Sequence, residues 1–132
     1  MPVQFLAPMV EIGIVTNNTE TMLRYYRDVL GLPYREHLEY PGGSQHRFAC
    51  GDSVIKLVSW EQPSAEARAG DPKLATGLRY FSLAVANLRQ VVAEVKAAGY
   101  AVPTDITEFG PSFGFAFLED PDGNWIEMYG PI

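Results

Sequence analysis

The first half of the chain has the apolar pattern of one strand, one helix and three further strands. Residues 9–15 are rich in β-branched side chains, as strands are. Asn18 stands where a helix N-cap is expected, apolar residues then recur at helical spacing, and Gly31 ends the helix. Residues 32–40, 46–50 and 54–59 have strand patterns. The predicted order over about residues 8–60 is therefore βαβββ.

The second half repeats this order after a polar connector. Residues 61–77 are punctuated by Pro and Gly and separate the two patterns. Residues 78–132 then predict a strand at 80–85, a helix from Asn87 to Gly99, and three strands near 101–107, 113–119 and 124–129. Asn87 and Gln90 have the spacing of a helix capping box. The sequence therefore predicts two βαβββ modules.

Equivalent residues of the two modules are found by laying one half on the other. Glu11 then matches Tyr80, and Lys56 matches Glu127. The whole chain has 132 residues, enough for one domain with a real core, whereas each half alone would bury only about 60% of its surface. We therefore expect a single domain over residues 1–132, made of module 1, the connector and module 2.

Charge and cysteine content narrow the classes of function. A formal net charge of −6 without a basic run is unfavourable for nucleic-acid binding. The single Cys50 excludes an internal disulfide framework and is typical of a reducing compartment. The apolar stretch at the start is too short for a membrane span and lacks a basic region. We expect a cytoplasmic protein that binds neither nucleic acid nor membranes.

Two motifs resemble the vicinal oxygen chelate superfamily, which includes glyoxalases, extradiol dioxygenases and bleomycin-resistance proteins. One motif joins Glu11-Ile-Gly-Ile-Val-Thr-Asn-Asn18 to Leu23-Arg-Tyr-Tyr-Arg-Asp-Val-Leu-Gly-Leu32, and the other is Asp120-Pro-Asp-Gly-Asn-Trp-Ile-Glu-Met128. The resemblance implies an α+β fold in which two βαβββ modules form a curved eight-stranded mixed sheet around one cavity. It places the helices on the outer face and implies a homodimer.

The resemblance also marks four positions where metal-dependent members carry ligands, usually His and Glu. In this sequence they are Glu11, Lys56, Tyr80 and Glu127. Protonated Lys56 would repel a cation, and neutral Tyr80 is a poor ligand. We therefore expect no cofactor: a divalent metal is disfavoured, and only Glu11 and Glu127 could ligate one.

The same four residues are the candidate catalytic groups, because the resemblance directs them into the cavity. One Glu could remove a proton next to a carbonyl while Lys56 and Tyr80 stabilise the enolate oxygen. His46 is a weaker candidate, as a proton shuttle. Ordinary polar positions on an exposed sheet face, or an ion pair that merely fills the cavity, are the alternatives that strand alternation leaves open.

Aromatic residues are the candidate ligand-binding groups. Such side chains suit a small aromatic or hydrophobic organic ligand. The candidates are Phe48, Trp60, Phe113, Phe115, Phe117, Trp125 and Tyr129.

The resemblance, taken together with these residues, implies three possible functions, in order of preference. The first is a glyoxalase-like, metal-independent isomerase, lyase or cyclase that works by proton transfer next to a carbonyl. The second is a non-catalytic protein that binds a small molecule or antibiotic, as bleomycin-resistance proteins do. The third is a metal-dependent lyase or dioxygenase.

Overall fold

The computed structural model describes residues 1–132 and divides them into two compact units. Unit 1 is Met1–Ala65 and unit 2 is Glu66–Ile132. The division falls within the segment 61–77 that the sequence identifies as a connector. No helix is long and apolar enough to span a membrane.

Unit 1 consists of one helix and a four-stranded mixed sheet. Its strands are β1 (Glu11–Val15), β2 (Tyr34–Tyr40), β3 (Gly43–Cys50) and β4 (Ser53–Trp60), in the order β1-β4-β3-β2. β1 runs parallel to β4, and the other neighbours are antiparallel. The parallel pair needs a crossover, and the helix with β2 and β3 supplies it.

The helix of unit 1 changes its hydrogen-bond pattern partway along. The α-helix α1 (Thr19–Leu23) continues as a π-helical segment, Arg24–Val29, where the sequence predicts one α-helix. The amide of Leu30 bonds to the carbonyl of Tyr25 five residues earlier, as in a π-helix. Gly31 follows with a φ of 68°, a conformation that glycine adopts without steric cost.

The core of unit 1 lies between this helix and one face of the sheet. Alternation along the strands sends Ile14, Phe48, Ile55 and Leu57 towards the helix, where all are buried. From the helix, Met22, Tyr25 and Tyr26 have no exposed surface. The apolar helix pattern in the sequence therefore marks packing residues.

Unit 2 repeats the topology with its own helix and sheet. Its strands are β5 (Tyr80–Ala84), β6 (Thr104–Glu108), β7 (Phe113–Glu119) and β8 (Trp125–Pro131), in the order β5-β8-β7-β6. The helix α2 (Leu88–Ala97) packs on one face, where Leu88, Val92, Val95, Ala116, Leu118, Ile126 and Met128 are buried. The two βαβββ modules and the α+β class are therefore confirmed.

Hydrogen bonds join the eight strands into two sheets of four, not into the single eight-stranded sheet that we expected. No strand of β1–β4 pairs with a strand of β5–β8. The mixed character of each sheet comes from its one parallel pair, β1 with β4 and β5 with β8. The duplication thus produces two complete sheets.

The two predicted helix caps are occupied by the expected residues, but neither makes the expected bond. Asn18 and Asn87 stand at the N-cap positions without a side-chain capping hydrogen bond. The Asn87 amide instead donates to the Gln90 side chain at 3.1 Å, so the reciprocal capping box does not form. The residue pattern predicts where the helices begin, but not these side-chain partners.

A turn at residues 120–124 leads into β8 and is organised by one buried carboxylate. Asp120 Oδ1 accepts hydrogen bonds from the backbone amides of Asp122 and Asn124, at 3.0 and 2.9 Å. Its Oδ2 accepts one from the Asn124 side chain at 3.0 Å. This part of the second sequence motif therefore fixes the start of the strand that carries Glu127.

Candidate functional site

In unit 1, the sheet face opposite the helix carries a cluster of two acidic and two basic side chains. We call this cluster the charged face: Glu11, Glu36, Arg47 and Lys56. Strand register explains it, because Arg47 of β3 pairs with Lys56 of β4 and with Glu36 of β2. Glu11 lies on the neighbouring strand β1, which pairs with β4. The structure therefore brings together the two candidate catalytic residues of unit 1.

One carboxylate oxygen links the two basic groups of the charged face. Arg47 Nη2 donates to Glu11 Oε1 at 2.8 Å, and Lys56 Nζ lies 3.5 Å from the same oxygen. The hydrogen bond from Arg47 lowers the pKa of Glu11 below its ordinary value, and the charge of Lys56 adds to that effect. Glu11 is therefore ionised at neutral pH and is a weaker base than an isolated carboxylate.

Two glycines on the strands that flank β4, Gly13 of β1 and Gly43 of β3, leave room for side chains on this face. A Cβ at Gly13 would lie 3.7 Å from Cε of Lys56, so the lysine side chain passes over a position without a side chain. A Cβ at Gly43 would come within 2.6 Å of the Trp60 ring. Trp60 contacts Tyr40 at a centroid distance of 5.8 Å and is about half exposed. Trp60 is thus available on the same sheet face as Lys56.

The structure places His46 and Phe48 on the other face of this sheet. They alternate with Arg47 along β3, so they point away from Lys56. Phe48 has no exposed surface and packs against Tyr26 and Tyr34. The prediction that Phe48 contacts a ligand is therefore wrong, and His46, the weaker candidate for a proton shuttle, does not share a face with Lys56. The reason is the one-residue offset between them and Arg47.

His46 instead takes part in a small cluster on the helix side of the sheet. Its ring stacks on His37 with the centroids 4.2 Å apart, and its Nδ1 lies 2.7 Å from the Tyr34 hydroxyl. Burial lowers the pKa of His46, and the nearby His37 lowers it further. His46 therefore favours its neutral form.

In unit 2, the sheet face opposite the helix is largely aromatic. We call it the aromatic face; its strand residues are Tyr80, Phe113, Phe115, Phe117, Trp125 and Tyr129, with Phe109 beside β7. Phe117 is at the centre, with ring centroids 5.1 Å from Tyr80, 5.4 Å from Trp125 and 6.2 Å from Phe115. Tyr80 and Phe109 are nearly half exposed, so the rings are accessible.

Glu127 is surrounded by this aromatic face. It pairs with Phe117 across one strand boundary and with Ser82 across the other, and Trp125 and Tyr129 flank it on β8. The Ser82 hydroxyl donates to Glu127 Oε1 at 2.7 Å. Within unit 2, Tyr80 and Glu127 therefore lie on one face, with an oriented carboxylate among accessible rings.

The charged face does not fit a divalent metal. A cation at Glu11 would face Arg47 and Lys56, both already drawn to that carboxylate. The structure also contains no group of three or more His, Cys, Asp or Glu side chains arranged to hold a metal ion. We therefore derive no catalytic step through a metal.

Sequence reasoning missed Arg47, Glu36 and Ser82. Arg47 could have been found by counting outwards from the Gly51-Asp52 turn, because a hairpin there pairs Cys50 with Ser53 and Arg47 with Lys56. Ser82 lies two residues beyond Tyr80 and therefore shares its face. The position of Glu36 beside Arg47 could not be predicted by such counting, because a bulge between Tyr34 and Glu36 shifts the register of β2.

Comparison with known proteins identifies the family. Residues 9–128 match the model of the Glyoxalase/Bleomycin resistance protein/Dioxygenase superfamily, so the chain belongs to it. No curated protein matches the chain significantly.

The names of solved structures with this fold describe proteins of different activities. A glyoxalase family protein from Bacillus cereus has a TM-score of 0.81 at 15% identity, with 100% of this chain and 99% of that chain covered. TnmS3, an antibiotic binding protein from Streptomyces sp. CB03234, has a TM-score of 0.72 at 19% identity, with 98% of this chain and 100% of that chain covered. Lactoylglutathione lyase from Agrobacterium tumefaciens has a TM-score of 0.66 at 24% identity, with 95% of this chain and 93% of that chain covered. These likenesses show the fold and leave the activity to be inferred from the site.

Proposed function

We propose that this superfamily member binds a small, planar aromatic molecule on the aromatic face of unit 2. The accessible rings around Phe117 are the observation that supports this proposal most directly. Flat rings in edge-to-face contact provide a large apolar surface at little conformational cost, and aromatic ligands pack well on them. The antibiotic-binding activity in the name of TnmS3 is compatible with this function.

Glu127 gives the aromatic face a preference for a ligand that carries a positive charge. Ser82 occupies its Oε1, and the flanking rings add cation–π attraction. Glu119 is the other carboxylate on this face, and it accepts a hydrogen bond from Trp125 Nε1 at 2.9 Å. Glu127 is therefore the group that we expect to meet a ligand cation.

A matched pair of ligands tests the proposal. 1-Naphthylmethylammonium and the neutral 1-naphthylmethanol would be titrated against the Trp60→Phe variant, in which Trp125 is the single tryptophan. We expect both to change Trp125 emission, the cation binding several-fold more tightly. Glu127→Gln should abolish the preference while retaining the binding of the alcohol. If neither ligand changes the emission, the proposal is wrong.

A second candidate function is proton transfer next to a carbonyl, in an isomerase, lyase or cyclase without a metal. It is supported by the oriented Glu127 carboxylate and by the Tyr80 phenol on the same face. Glu127 is then the preferred base, because Arg47 and Lys56 keep Glu11 ionised and weakly basic. Tyr80 would donate to the developing enolate oxygen.

Deuterium exchange distinguishes catalysis from binding. Small molecules that co-purify with the protein would be identified by mass spectrometry and incubated with it in D2O. An enzyme should return them with deuterium incorporated or chemically changed, and a binding protein should return them intact. Catalysis by these residues is excluded if Glu11→Gln and Glu127→Gln both leave the conversion unchanged.

We also propose a homodimer in the cytoplasm. Exposed apolar side chains near the N-terminus, Val3, Phe5 and Leu6, support self-association. The lone, half-buried Cys50 is compatible with a reducing compartment. Sedimentation velocity of the full chain would measure the mass, and a concentration-independent monomer would contradict the dimer.

A further inference from the structure

The two basic groups of the charged face are held close together although their charges repel. Arg47 and Lys56 are register partners on adjacent antiparallel strands, where side chains on one face are neighbours. Their side chains are only 18% and 30% exposed. Partial burial strengthens the repulsion, since water screens it less. The arrangement therefore depends on a negative group between them.

Glu11 provides that negative group with a single oxygen. Its Oε1 receives both the 2.8 Å hydrogen bond from Arg47 and the 3.5 Å approach of Lys56. The structure thus contains a carboxylate bound by a guanidinium and an ammonium, and that carboxylate belongs to the chain itself. Its side chain is 37% exposed and stands on an edge strand of the sheet, so it has room to move away.

Most donors of the two basic groups are not used by Glu11. Arg47 has five N–H groups, of which Nη2 bonds to Glu11, while Nε lies 3.6 Å from Glu36, beyond hydrogen-bond distance. The Lys56 ammonium has three N–H groups and its approach to Glu11 is long. The pair can therefore bind a second anionic oxygen, especially a flat carboxylate that matches the guanidinium fork.

We propose that Arg47 and Lys56 form a binding site for the carboxylate of a small organic acid, and that Glu11 occupies this site as an internal competitor. When the acid binds, its carboxylate takes the hydrogen bonds of Arg47 and Lys56 and Glu11 turns towards solvent. The site belongs to unit 1 and does not depend on the aromatic face. Lys56, one of the four positions where metal-dependent members carry a ligand, would thus bind an anion in place of a cation.

Propionate is the test ligand, with propionamide as its neutral counterpart. Neither can stack on aromatic rings, so failure of this test leaves the function proposed for unit 2 untouched. Binding would be followed by NMR at Arg47 Nε–H and Lys56 Cε–H2. We expect weak millimolar binding of propionate to the wild type, weakened by added salt, and none of propionamide.

Glu11→Gln is the decisive variant, because removing a competitor must strengthen binding. We expect propionate affinity to rise about tenfold, whereas Lys56→Met or Arg47→Gln should lower it about tenfold through loss of a charge-assisted bond. Arg27→Gln, which breaks an exposed ion pair with Asp28 elsewhere, should leave the affinity unchanged. Unchanged or weaker binding by Glu11→Gln would overturn the proposal.

A second variant, Glu36→Gln, tests the proposed carboxylate site if Glu11→Gln does not fold. Glu36 lies at the edge of the cluster with a side chain 54% exposed, so Glu36→Gln removes a competing charge with little effect on packing. We expect a two- to threefold gain in propionate affinity, smaller than for Glu11 because of the longer distance to Arg47. No gain in this variant would equally overturn the proposal.

Discussion

The two units have the same topology but present different chemistry on the sheet face opposite the helix. In unit 1 this face centres on Glu11, Arg47 and Lys56. Tyr34 and Phe48 lie on the helix side, and only Tyr40 and Trp60, at the end of the sheet, share the face with Lys56. In unit 2 the rings around Phe117 occupy that face, while the helix side of the strands carries buried aliphatic side chains together with the partly buried Phe81. The duplicated module therefore keeps its backbone pairing, while the centre of this face is charged in unit 1 and aromatic in unit 2.

Few residues have to change to give one face of a sheet different chemistry. A shift of one residue moves a ring between the two faces of a strand, as Phe48 next to Arg47 and Phe117 next to Leu118 illustrate. The apolar core of each unit is retained by the alternate positions. The chemistry of a face can thus differ between modules while the fold is the same.

The largest expected effect comes from the aromatic residue on the helix side. Phe48→Ala should destabilise the protein by about 3–5 kcal/mol, because it leaves a cavity in the core of unit 1. Phe117→Ala, on the aromatic face, should cost clearly less, since its ring is part exposed. Urea unfolding monitored by circular dichroism would measure both. Equal losses would contradict the assignment of the two rings to different faces.

The next effect concerns binding and should be confined to unit 2. Phe117→Ala removes the ring that contacts Tyr80, Phe115 and Trp125, so affinity for 1-naphthylmethylammonium should fall about tenfold. Tyr40→Ala removes a ring on the corresponding face of unit 1 and is the matched control. Isothermal titration calorimetry would compare them. An equal loss in both variants would contradict binding at the aromatic face.

A smaller effect follows from the lowered pKa of Glu11. Because the folded pKa lies below the unfolded value of 4.5, ionised Glu11 stabilises the fold above that pH, and this contribution is lost as pH falls through the folded pKa. Arg47→Gln should raise the pKa of Glu11, because it removes the main hydrogen bond. NMR titration of the Glu11 side-chain carboxyl carbon would show the change. An unchanged midpoint would rule out Arg47 as its cause.

The smallest expected effect concerns His46, whose counterpart in unit 2 is not a titrating residue. Its folded pKa lies below the ordinary 6.5, so stability should decline as pH falls below about 6.5 and through the folded pKa. His37 and Arg27 lower this pKa and Glu20 raises it, after the larger effect of burial. His37→Gln should therefore raise the His46 midpoint in an NMR titration. A midpoint that falls or stays unchanged would contradict this account of the pair.

Strand periodicity predicted much of the fold and part of the candidate site. It placed Phe113, Phe115 and Phe117 on one side of their strand, and Trp125 and Tyr129 on the side of Glu127, because alternation depends only on neighbouring residues. It did not show which face of β3 carries His46 and Phe48, because that face is defined by the pairing of β3 with β4. The π-helical segment could not be predicted, because a change of helix type over six residues leaves no distinct apolar period. The two separate sheets could not be predicted either, because they depend on pairings between strands that are distant in the sequence.

The separation of the strands into two sheets has a consequence for the kinetics of folding. Every strand pair joins residues of one half, and the parallel pairing of Glu11 with Val54 shows how far apart along the chain such partners lie. The entropy lost on closing each loop therefore depends on the number of residues between two paired strands of one half, and not on the length of the whole chain. Because folding rates fall as the sequence separation of contacts rises, strand pairing should proceed at the pace of a chain of about half this size.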